Sequence, residues 1–261
     1  MAAPTWTAYN ELAWVDTVLG TPEDCAEETE LYVRLIRDRS RRPPGTLLHL
    51  GCGAGAHDAT FKRHLDVTGV DVSPGMLEIA RRLNPEVTYV LGDMRTVELP
   101  RRFDCVAIPD SIDYLVTPDD LKATIMTAAR HLDPGGVLLI VANTRDEFRN
   151  NNFVYTGSRG DTEVTVFENN RICEDGARYE ATLVYLIRVK GELRIETEVH
   201  TLGLFPQATW LDLLAGASFE VEHRSRKEGY ERFILQDGEY PRRIFIAAKT
   251  VRVPGTSIAE L

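Results

Sequence analysis

Three glycines alternate directly behind a short apolar run, and an acidic residue ends the next apolar run. The glycines are Gly51, Gly53 and Gly55; they follow residues 47–50, and Asp71 stands twenty residues after the first of them. Because glycine has no Cβ, such a loop can turn tightly and lets a ligand approach its backbone. An acidic side chain at the end of the following strand can accept hydrogen bonds from both hydroxyls of a ribose. The spacing therefore predicts a pocket for a cofactor that contains adenosine.

The glycine loop alone leaves the identity of the cofactor open. Residues 51–56 also satisfy the dinucleotide fingerprint G-x-G-x-x-G/A, so the loop could hold NAD, or it could be only a tight turn. The residues behind Asp71 narrow the choice. Ser73 is a good N-cap and Pro74 a good first helical residue, which predicts a helix that begins directly behind the acid.

Two further motifs follow in order along the chain. Gly-Asp-Met at residues 92–94 follows the third apolar run, and Pro-Gly-Gly at residues 134–136 precedes the fifth. Together with the glycine loop and Asp71, this ordered set resembles the class I S-adenosylmethionine-dependent methyltransferases over about residues 28–145, and more loosely beyond. An NAD enzyme would have no reason for Gly-Asp-Met at this place. The resemblance implies that S-adenosyl-L-methionine is the cofactor and that it is bound by Gly51, Cys52, Gly53, Gly55, Asp71, Val72, Met76, Asp93, Met94 and Pro109.

One residue departs from the family pattern. The family usually has Asp or Glu two residues before the first glycine, where this chain has His49. Since that acid supports the loop and, indirectly, the amino group of the cofactor, the resemblance leaves the role of His49 open. Two alternatives also stay open, namely an NAD-linked oxidoreductase and an S-adenosylmethionine-binding domain that no longer turns over.

The methyl acceptor is predicted to dock where the fourth and fifth strands end. Ligands of open α/β sheets bind outside the carboxyl ends of the strands. Asp110, Asp113 and Tyr114 follow the fourth predicted strand, and residues 143–145 follow the fifth. A carboxylate or a phenol there could hold or take the proton of an amine acceptor, so Asp110 and Asp113 are candidate catalytic residues. Asp113 could instead be only an N-cap or a loop acid.

An aromatic arm precedes the core. In similar enzymes such an arm folds over the cofactor with a tyrosine close to the sulfonium, which a π-face favours by cation–π attraction. Tyr9 is therefore the third candidate catalytic residue, and Tyr114, Arg145 and Trp14 are candidates for substrate binding. The alternative for Trp14 is that it only anchors the arm by burial, and for Tyr114 that it is a core aromatic.

The loop after the fourth strand gives an indication of the acceptor. Residues 110–115, Asp-Ser-Ile-Asp-Tyr-Leu, loosely resemble the Ser-Ser-x-Gly-Tyr-Leu loop of bacterial enzymes that N,N-dimethylate nucleotide-linked amino sugars. Asp110 and Asp113 stand where that group has Ser and Gly. The resulting hypothesis is a methyltransferase that acts on nitrogen or oxygen of a small polar metabolite, such as a sugar or an amino sugar.

These residues need a scaffold in which strands and helices alternate. An amphipathic helix over residues 22–40 and the alternation through residue 142 predict an α/β fold with a doubly wound, mostly parallel sheet. The family resemblance implies seven strands, of which the last runs antiparallel. We expect four segments, namely an N-terminal lid arm and helix (1–40), the cofactor-binding methyltransferase core (41–145), a small inserted antiparallel β-sheet (146–206) and the C-terminal part of the core (207–261).

The insertion is expected to contain three strands with reversals at residues 175–176 and 190–191. In the third strand Leu193, Ile195 and Val199 alternate with polar residues. This alternation predicts a buried apolar face, with the polar residues, among them His200, facing solvent. The small sheet could cover the active site or form a homodimer contact.

Composition excludes several classes of partner. A net charge of −10 argues against binding the backbone of DNA or RNA. No apolar run approaches the ~20 residues that span a bilayer, and the first residues do not have the pattern of a signal peptide. The four cysteines lie far apart and form no metal-ligand spacing. We therefore expect a cytoplasmic enzyme with a small-molecule acceptor, without a nucleic-acid or membrane partner and without a metal.

Overall fold

The computed structural model describes residues 6–227, 233–235 and 240–250. Its strands are β1 (Thr46–Leu50), β2 (Asp66–Asp71), β3 (Thr88–Leu91), β4 (Phe103–Pro109), β5 (Leu132–Ala142), β6 (Asn151–Arg159), β7 (Thr162–Ile172), β8 (Arg178–Val189), β9 (Glu192–Gly203), β10 (Phe219–Arg226) and β11 (Arg242–Lys249). The main sheet has the order β10-β11-β5-β4-β1-β2-β3. Only β11 runs against its neighbours, so the predicted seven-stranded, mostly parallel sheet is confirmed.

Helices cover both faces of this sheet. They are α1 (Asp16–Leu19), α2 (Ala26–Arg39), α3 (Asp58–Phe61), α4 (Pro74–Leu83), α5 (Pro118–His131) and α6 (Gln207–Gly216), with short 3₁₀ turns at Thr7–Tyr9, Ala13–Val15, Pro22–Cys25 and Ser111–Tyr114. Residues 137–142 of β5 form an unbroken apolar run because both of its faces are buried. Leu138 and Ile140 pack on the side of α5 and α6, whereas Leu139 and Val141 pack on the side of α2 and α4.

The helix behind the second strand begins as predicted. Ser73 Oγ accepts a hydrogen bond from the backbone N–H of Met76 at 3.1 Å, and Pro74 is the first residue of α4. The N-terminal arm lies against this helix start, because Ser73 Oγ donates to the carbonyl oxygen of Tyr9. The hydroxyl of Ser73 thus caps the first turn of α4 and holds the N-terminal arm against it.

The insertion forms a separate antiparallel sheet of four strands in the order β6-β7-β8-β9. The expectation of three strands was wrong because β6 begins Asn-Asn and contains a glycine, residues that are typical of turns. The predicted reversals are confirmed, and the positive φ of both Lys190 (50°) and Gly191 (88°) suits a tight hairpin turn. All four strands fall within residues 146–206, while the boundaries of the four predicted segments stay a prediction.

The two faces of β9 are the reverse of the prediction. Leu193, Ile195 and Val199 are 49%, 57% and 53% exposed, whereas His200 is only 1% exposed. The reason is that this face packs on the N-terminal arm, where His200 contacts Trp6 and Tyr9, so alternation alone assigns the wrong side. The apolar outer face leaves the predicted homodimer contact a prediction.

Candidate functional site

A cavity of about 380 Å³ opens at the carboxyl ends of the central strands. Its walls come from the glycine loop behind β1, the loop behind β4, the N-terminal arm and the inner face of the small sheet. The site therefore lies where open α/β sheets bind their ligands. It can be divided into a cofactor half, beside the glycine loop, and an acceptor half, beneath the small sheet.

The glycine loop has the conformation that its sequence predicts. Gly51 and Gly53 have φ values of 71° and 52°, which disfavour any side chain. A Cβ on Gly51 would lie 2.1 Å from Ser111 Oγ, whereas a Cβ on Gly53 would meet nothing within 4 Å. The space beside Gly53 is therefore open for a ligand that approaches the backbone.

Asp71 fixes this loop from the end of β2. Its carboxylate accepts hydrogen bonds from the backbone N–H groups of Gly53 and Ser73, each at 2.8 Å. Burial raises the pKa of Asp71 above the ordinary value, and the two backbone donors oppose that shift. Val72 and Met76 line the cavity beside it. A carboxylate next to open backbone and apolar side chains fits the ribose and adenine of S-adenosylmethionine.

Eight of the ten predicted cofactor residues line the cavity: Gly51, Cys52, Gly53, Asp71, Val72, Met76, Met94 and Pro109. Gly55 is not among the lining residues. A Cβ at this position would lie 2.6 Å from the hydroxyl of Tyr89, so close packing explains why a glycine stands here. Asp93 is not among the lining residues either. Its carboxylate binds Arg95, which also contacts Asp120 at 2.8 Å, and its predicted contact with adenine stays a prediction.

His49 lies between the cavity and a buried carboxylate. Its Nδ1 lies 2.7 Å from Asp58 Oδ1, and Asp58 Oδ2 accepts a hydrogen bond from the hydroxyl of Tyr89 at 2.9 Å. His49 and Asp58 are 1% and 0% exposed. His49 also lines the cavity, and its Nε2 has no hydrogen-bond partner among the described residues. A buried carboxylate thus lies one layer deeper than position 49, with an imidazole between it and the cavity.

The acceptor half is built around a buried cluster of charges. Asp113 accepts hydrogen bonds from the backbone and side-chain nitrogens of Asn143, at 3.2 and 2.9 Å. Arg242 Nη2 lies 3.5 Å from Asp113 and forms an ion pair with Asp110. Asp113 and Arg242 are 3% and 6% exposed. Two predicted catalytic acids are therefore brought together and bridged by an arginine that the sequence analysis missed.

Burial dominates the ionisation of Asp113. It raises the pKa of this carboxyl to about 7, although Arg242 and the Asn143 nitrogens favour the charged form. Below pH 4 the group is protonated in both the folded and the unfolded state, and it adds nothing to the pH dependence of stability. As the pH rises from about 4 to 7, the unfolded state loses this proton first, so the free energy of unfolding decreases.

We expect the variant Asp113→Asn to lack this decrease. Between pH 4.5 and pH 8, the free energy of unfolding of the variant should rise relative to the wild type by about 3 kcal/mol. Urea unfolding at each pH measures the difference. A difference that is constant across this range would mean that Asp113 is ionised normally in the folded protein.

The small sheet adds a further acid and several aromatic rings to the cavity. Glu168 on β7 accepts a hydrogen bond from Asn170 Nδ2 at 2.6 Å, and burial raises its pKa. Tyr155 and Tyr179 line the same wall. Among the described residues, the cavity lining contains five carboxylates, one arginine and no lysine. The carboxylates belong to Asp16, Asp71, Asp110, Asp113 and Glu168, and the arginine is Arg242.

An aromatic cluster closes the cavity under the arm. The ring of Trp6 lies 4.6 Å from that of Tyr114 and 5.3 Å from that of His200. Tyr9 and Tyr114 share a hydrogen bond between their hydroxyls, and Tyr114 also bonds His200 Nδ1 at 2.8 Å. The prediction that His200 faces solvent was wrong, because the polar face of β9 is the one that covers the cavity.

Tyr9 and Tyr114, both predicted as site residues, line the cavity. Trp14 and Arg145 are not among the lining residues; Trp14 packs with the apolar residues under the small sheet, consistent with the anchoring alternative. Sequence reasoning missed four other site residues because they come from the insertion and the last strand: Glu168, Tyr179, His200 and Arg242. Asn143 belongs to the predicted docking segment 143–145, which directly follows a predicted strand.

Among the described residues, no helix has the length and apolarity to cross a membrane. No group of three or more His, Cys, Asp or Glu side chains is placed to hold a metal ion in the same part of the chain.

Comparisons with known proteins agree with this geometry. Residues 47–136 match the family model described as a methyltransferase domain. A dTDP-3-amino-3,4,6-trideoxy-α-D-glucopyranose N,N-dimethyltransferase of Streptomyces venezuelae is 31% identical over 78% of this chain and 87% of the relative. A dTDP-4-amino-2,3,4,6-tetradeoxy-D-glucose N,N-dimethyltransferase of Saccharopolyspora spinosa is 30% identical over 77% and 81%. The solved structure of a sugar N-methyltransferase from Streptoalloteichus superposes with a TM-score of 0.77 at 27% identity, and covers 96% of this chain and 99% of its own.

Proposed function

The chain belongs to the class I S-adenosylmethionine-dependent methyltransferases, and from this premise we propose that it methylates the amino group of an amino sugar. The NAD-linked alternative is set aside, since the cofactor of this family is S-adenosylmethionine. The relatives at about 30% identity act, by their names, on dTDP-linked amino sugars. A sugar nucleotide with one amino group is accordingly the substrate class that we propose for this chain.

One observation supports an amine rather than a hydroxyl. The acceptor half carries the carboxylates of Asp110, Asp113 and Glu168, and Arg242 is the single arginine or lysine among the described lining residues. An amine is a cation in water at neutral pH, so this excess of negative charge favours its entry. A neutral hydroxyl acceptor could donate a hydrogen bond to one carboxylate but would lack this attraction between opposite charges.

The protein's part in the reaction is to position and desolvate. When bound, S-adenosylmethionine supplies a methyl group on a sulfonium centre. The thioether that remains is a neutral leaving group, so the protein need not supply an acid to protonate it. We propose that Gly51, Gly53 and Asp71 hold the cofactor, and that the small sheet and the arm exclude water from it. Holding both reactants in line converts a bimolecular step into a unimolecular one, which is the largest contribution such a site can make.

The predicted catalytic residues have distinct roles in this proposal. Asp113, fixed by Asn143 and Arg242, is held in one orientation and offers a carboxylate oxygen to the N–H of the acceptor. Asp110 forms an ion pair with Arg242, and so determines where that arginine lies. Tyr9 offers its hydroxyl from the arm, and its ring gives a π-face for the positive charge near the reacting nitrogen.

A matched pair of acceptors tests the proposal. The purified protein is incubated with S-adenosylmethionine and either a dTDP-linked amino sugar or the same sugar nucleotide with a hydroxyl in place of the amine. We expect formation of S-adenosylhomocysteine at least about 100-fold faster with the amine, and mass spectrometry should show one or two added methyl groups. Methylation of the hydroxyl compound at the same rate, or transfer to neither compound, would contradict it.

A further inference from the structure

A hydrogen-bonded chain leads from the cavity into the small sheet. Tyr9 and Tyr114 line the cavity and share a hydrogen bond between their hydroxyls. Tyr114 Oη lies 2.8 Å from Nδ1 of His200, which is 1% exposed. The chain therefore connects the place of the acceptor to a buried imidazole that the proposed mechanism does not use.

Glu198 determines the direction of the hydrogen bonds along this chain. Its Oε2 lies 3.1 Å from His200 Nε2 without the angles of a hydrogen bond, and its negative charge favours a ring proton on Nε2, which leaves Nδ1 as an acceptor. Tyr114 then donates to His200 and accepts from Tyr9. The oxygen of Tyr9 keeps a lone pair for a donor in the cavity.

The glutamate is itself held in place. Its two carboxylate oxygens accept the backbone N–H groups of Thr7 and Ala8, at 2.8 and 2.9 Å. These residues begin the 3₁₀ turn that carries Tyr9. The same carboxylate therefore fixes the arm over the cavity and orients the imidazole, as the acid of a catalytic triad orients its histidine.

We propose that Tyr9 and Tyr114 conduct the proton released by the acceptor amine to His200, and that Glu198 stabilises the resulting imidazolium. This inference rests on the proposed function, because it requires an amine acceptor. In the transfer the nitrogen–methyl bond forms, the sulfur–methyl bond breaks, and the nitrogen becomes a cation with a proton to lose. That proton passes to Tyr9 Oη as the Tyr9 proton moves to Tyr114 and the Tyr114 proton to His200 Nδ1.

The relay matters most when two methyl groups are added. A nitrogen that has received the first methyl group is positively charged and cannot attack again until it loses a proton. Under a closed arm, water cannot remove it. Burial raises the pKa of Tyr9 and of Tyr114, so neither side chain persists as a phenolate. Each hydroxyl therefore accepts a proton as it donates its own, and neither is the final acceptor. His200 is the first group along this chain that can keep the proton as a stable cation.

Other groups face the relay and contribute to its charge. Glu198 is in contact with the imidazole, and Glu168 interacts with it across the cavity. Trp6 covers the ring without carrying a charge.

The variant His200→Asn tests the relay, because its amide oxygen can still accept from Tyr114 but cannot take a proton. With a dTDP-linked amino sugar, we expect kcat at pH 7 to fall about 100-fold and the monomethylated product to accumulate. The kcat of the variant should then increase towards pH 9, by up to about tenfold per pH unit, because a growing share of the acceptor enters the cavity already deprotonated. Calorimetry should show an unchanged Kd for S-adenosylhomocysteine. His223→Asn, on an exposed part of β10, is the matched control and should behave as wild type.

Tyr114→Phe interrupts the chain while His200 remains, and it should give the same pH profile and the same monomethylated product. This second variant keeps the test valid if His200→Asn fails to fold. An unchanged pH profile and product ratio in both variants would overturn the relay, while the wild-type transfer to the amine upholds the proposed function. If kcat and cofactor affinity are lost together, the substitutions act only through the structure of the site, and the relay is overturned. A wild type that methylates no amine overturns both proposals.

Discussion

The variant Asp71→Ala is expected to raise the Kd for S-adenosylhomocysteine at least about 100-fold while leaving the fold intact. The carboxylate lies at the end of β2 in the cofactor half of the cavity. Two charge-assisted hydrogen bonds to ribose hydroxyls contribute about 1.5–3 kcal/mol each, which corresponds to a factor of roughly 100 or more. Loss of the hydrogen bond that holds Gly53 adds to the effect. Isothermal titration calorimetry measures the Kd, and circular dichroism checks the fold.

Asp66→Ala is the matched control for this variant. Asp66 begins the same strand at its opposite end, where its exposed carboxylate forms an ion pair with Arg101 at 3.0 Å. Exposed ion pairs contribute ~0–1 kcal/mol, so we expect wild-type affinity. Tight binding by Asp71→Ala would place the cofactor somewhere other than the glycine loop.

The second large effect is expected from Arg242→Met. This arginine is 6% exposed and lies between Asp110 and the 3% exposed Asp113. Removing one partner from a buried ion pair leaves an uncompensated charge and costs about 3–5 kcal/mol of unfolding free energy. Urea unfolding at pH 8, where Asp113 is ionised, should show the loss, and methyl transfer should decrease with it.

The neighbouring arginine provides the control for position. Arg243 points away from Arg242 along the same strand and forms an ion pair with Glu147 at 2.7 Å. Glu147 is 22% exposed, whereas Asp113 is 3% exposed, so water can reach Glu147 when its partner is removed and Arg243→Met should cost less than Arg242→Met, about 1–2 kcal/mol. Adding Asp110→Asn and Asp113→Asn to Arg242→Met should restore much of the stability, since the unpaired charges are then gone. If the triple variant is no more stable than Arg242→Met, packing rather than charge explains the role of this arginine.

The cofactor half of the site could be predicted from the sequence because its determinants are local. Gly51, Gly53 and Asp71 belong to one strand–loop–helix–strand unit, in which the spacing along the chain fixes the spacing in space. The positive φ values at the two glycines are a backbone requirement that only the residue type can meet. The helix cap at Ser73 has the same local character.

The acceptor half could not be predicted in the same way, since its side chains come from distant parts of the chain. Asp113 follows β4, Glu168 and His200 lie in the insertion, and Arg242 begins the last strand of the sheet in chain order. The alternation in β9 gave the wrong face because the aromatic arm packs beneath its polar side and buries His200. A pattern of polarity says which residues share a face, but not what that face covers.

The position of β11 has a consequence for how the molecule is made. Although last in chain order, this strand lies between β10 and β5, so a growing chain holds β5 as an open edge until residues 242–249 have left the ribosome. Through that interval Asp110 and Asp113 exist without the arginine that neutralises them. The last element to dock thus completes both the sheet and the acceptor half. Nascent chains stalled before residue 242 should bind chaperones along the open edge of β5.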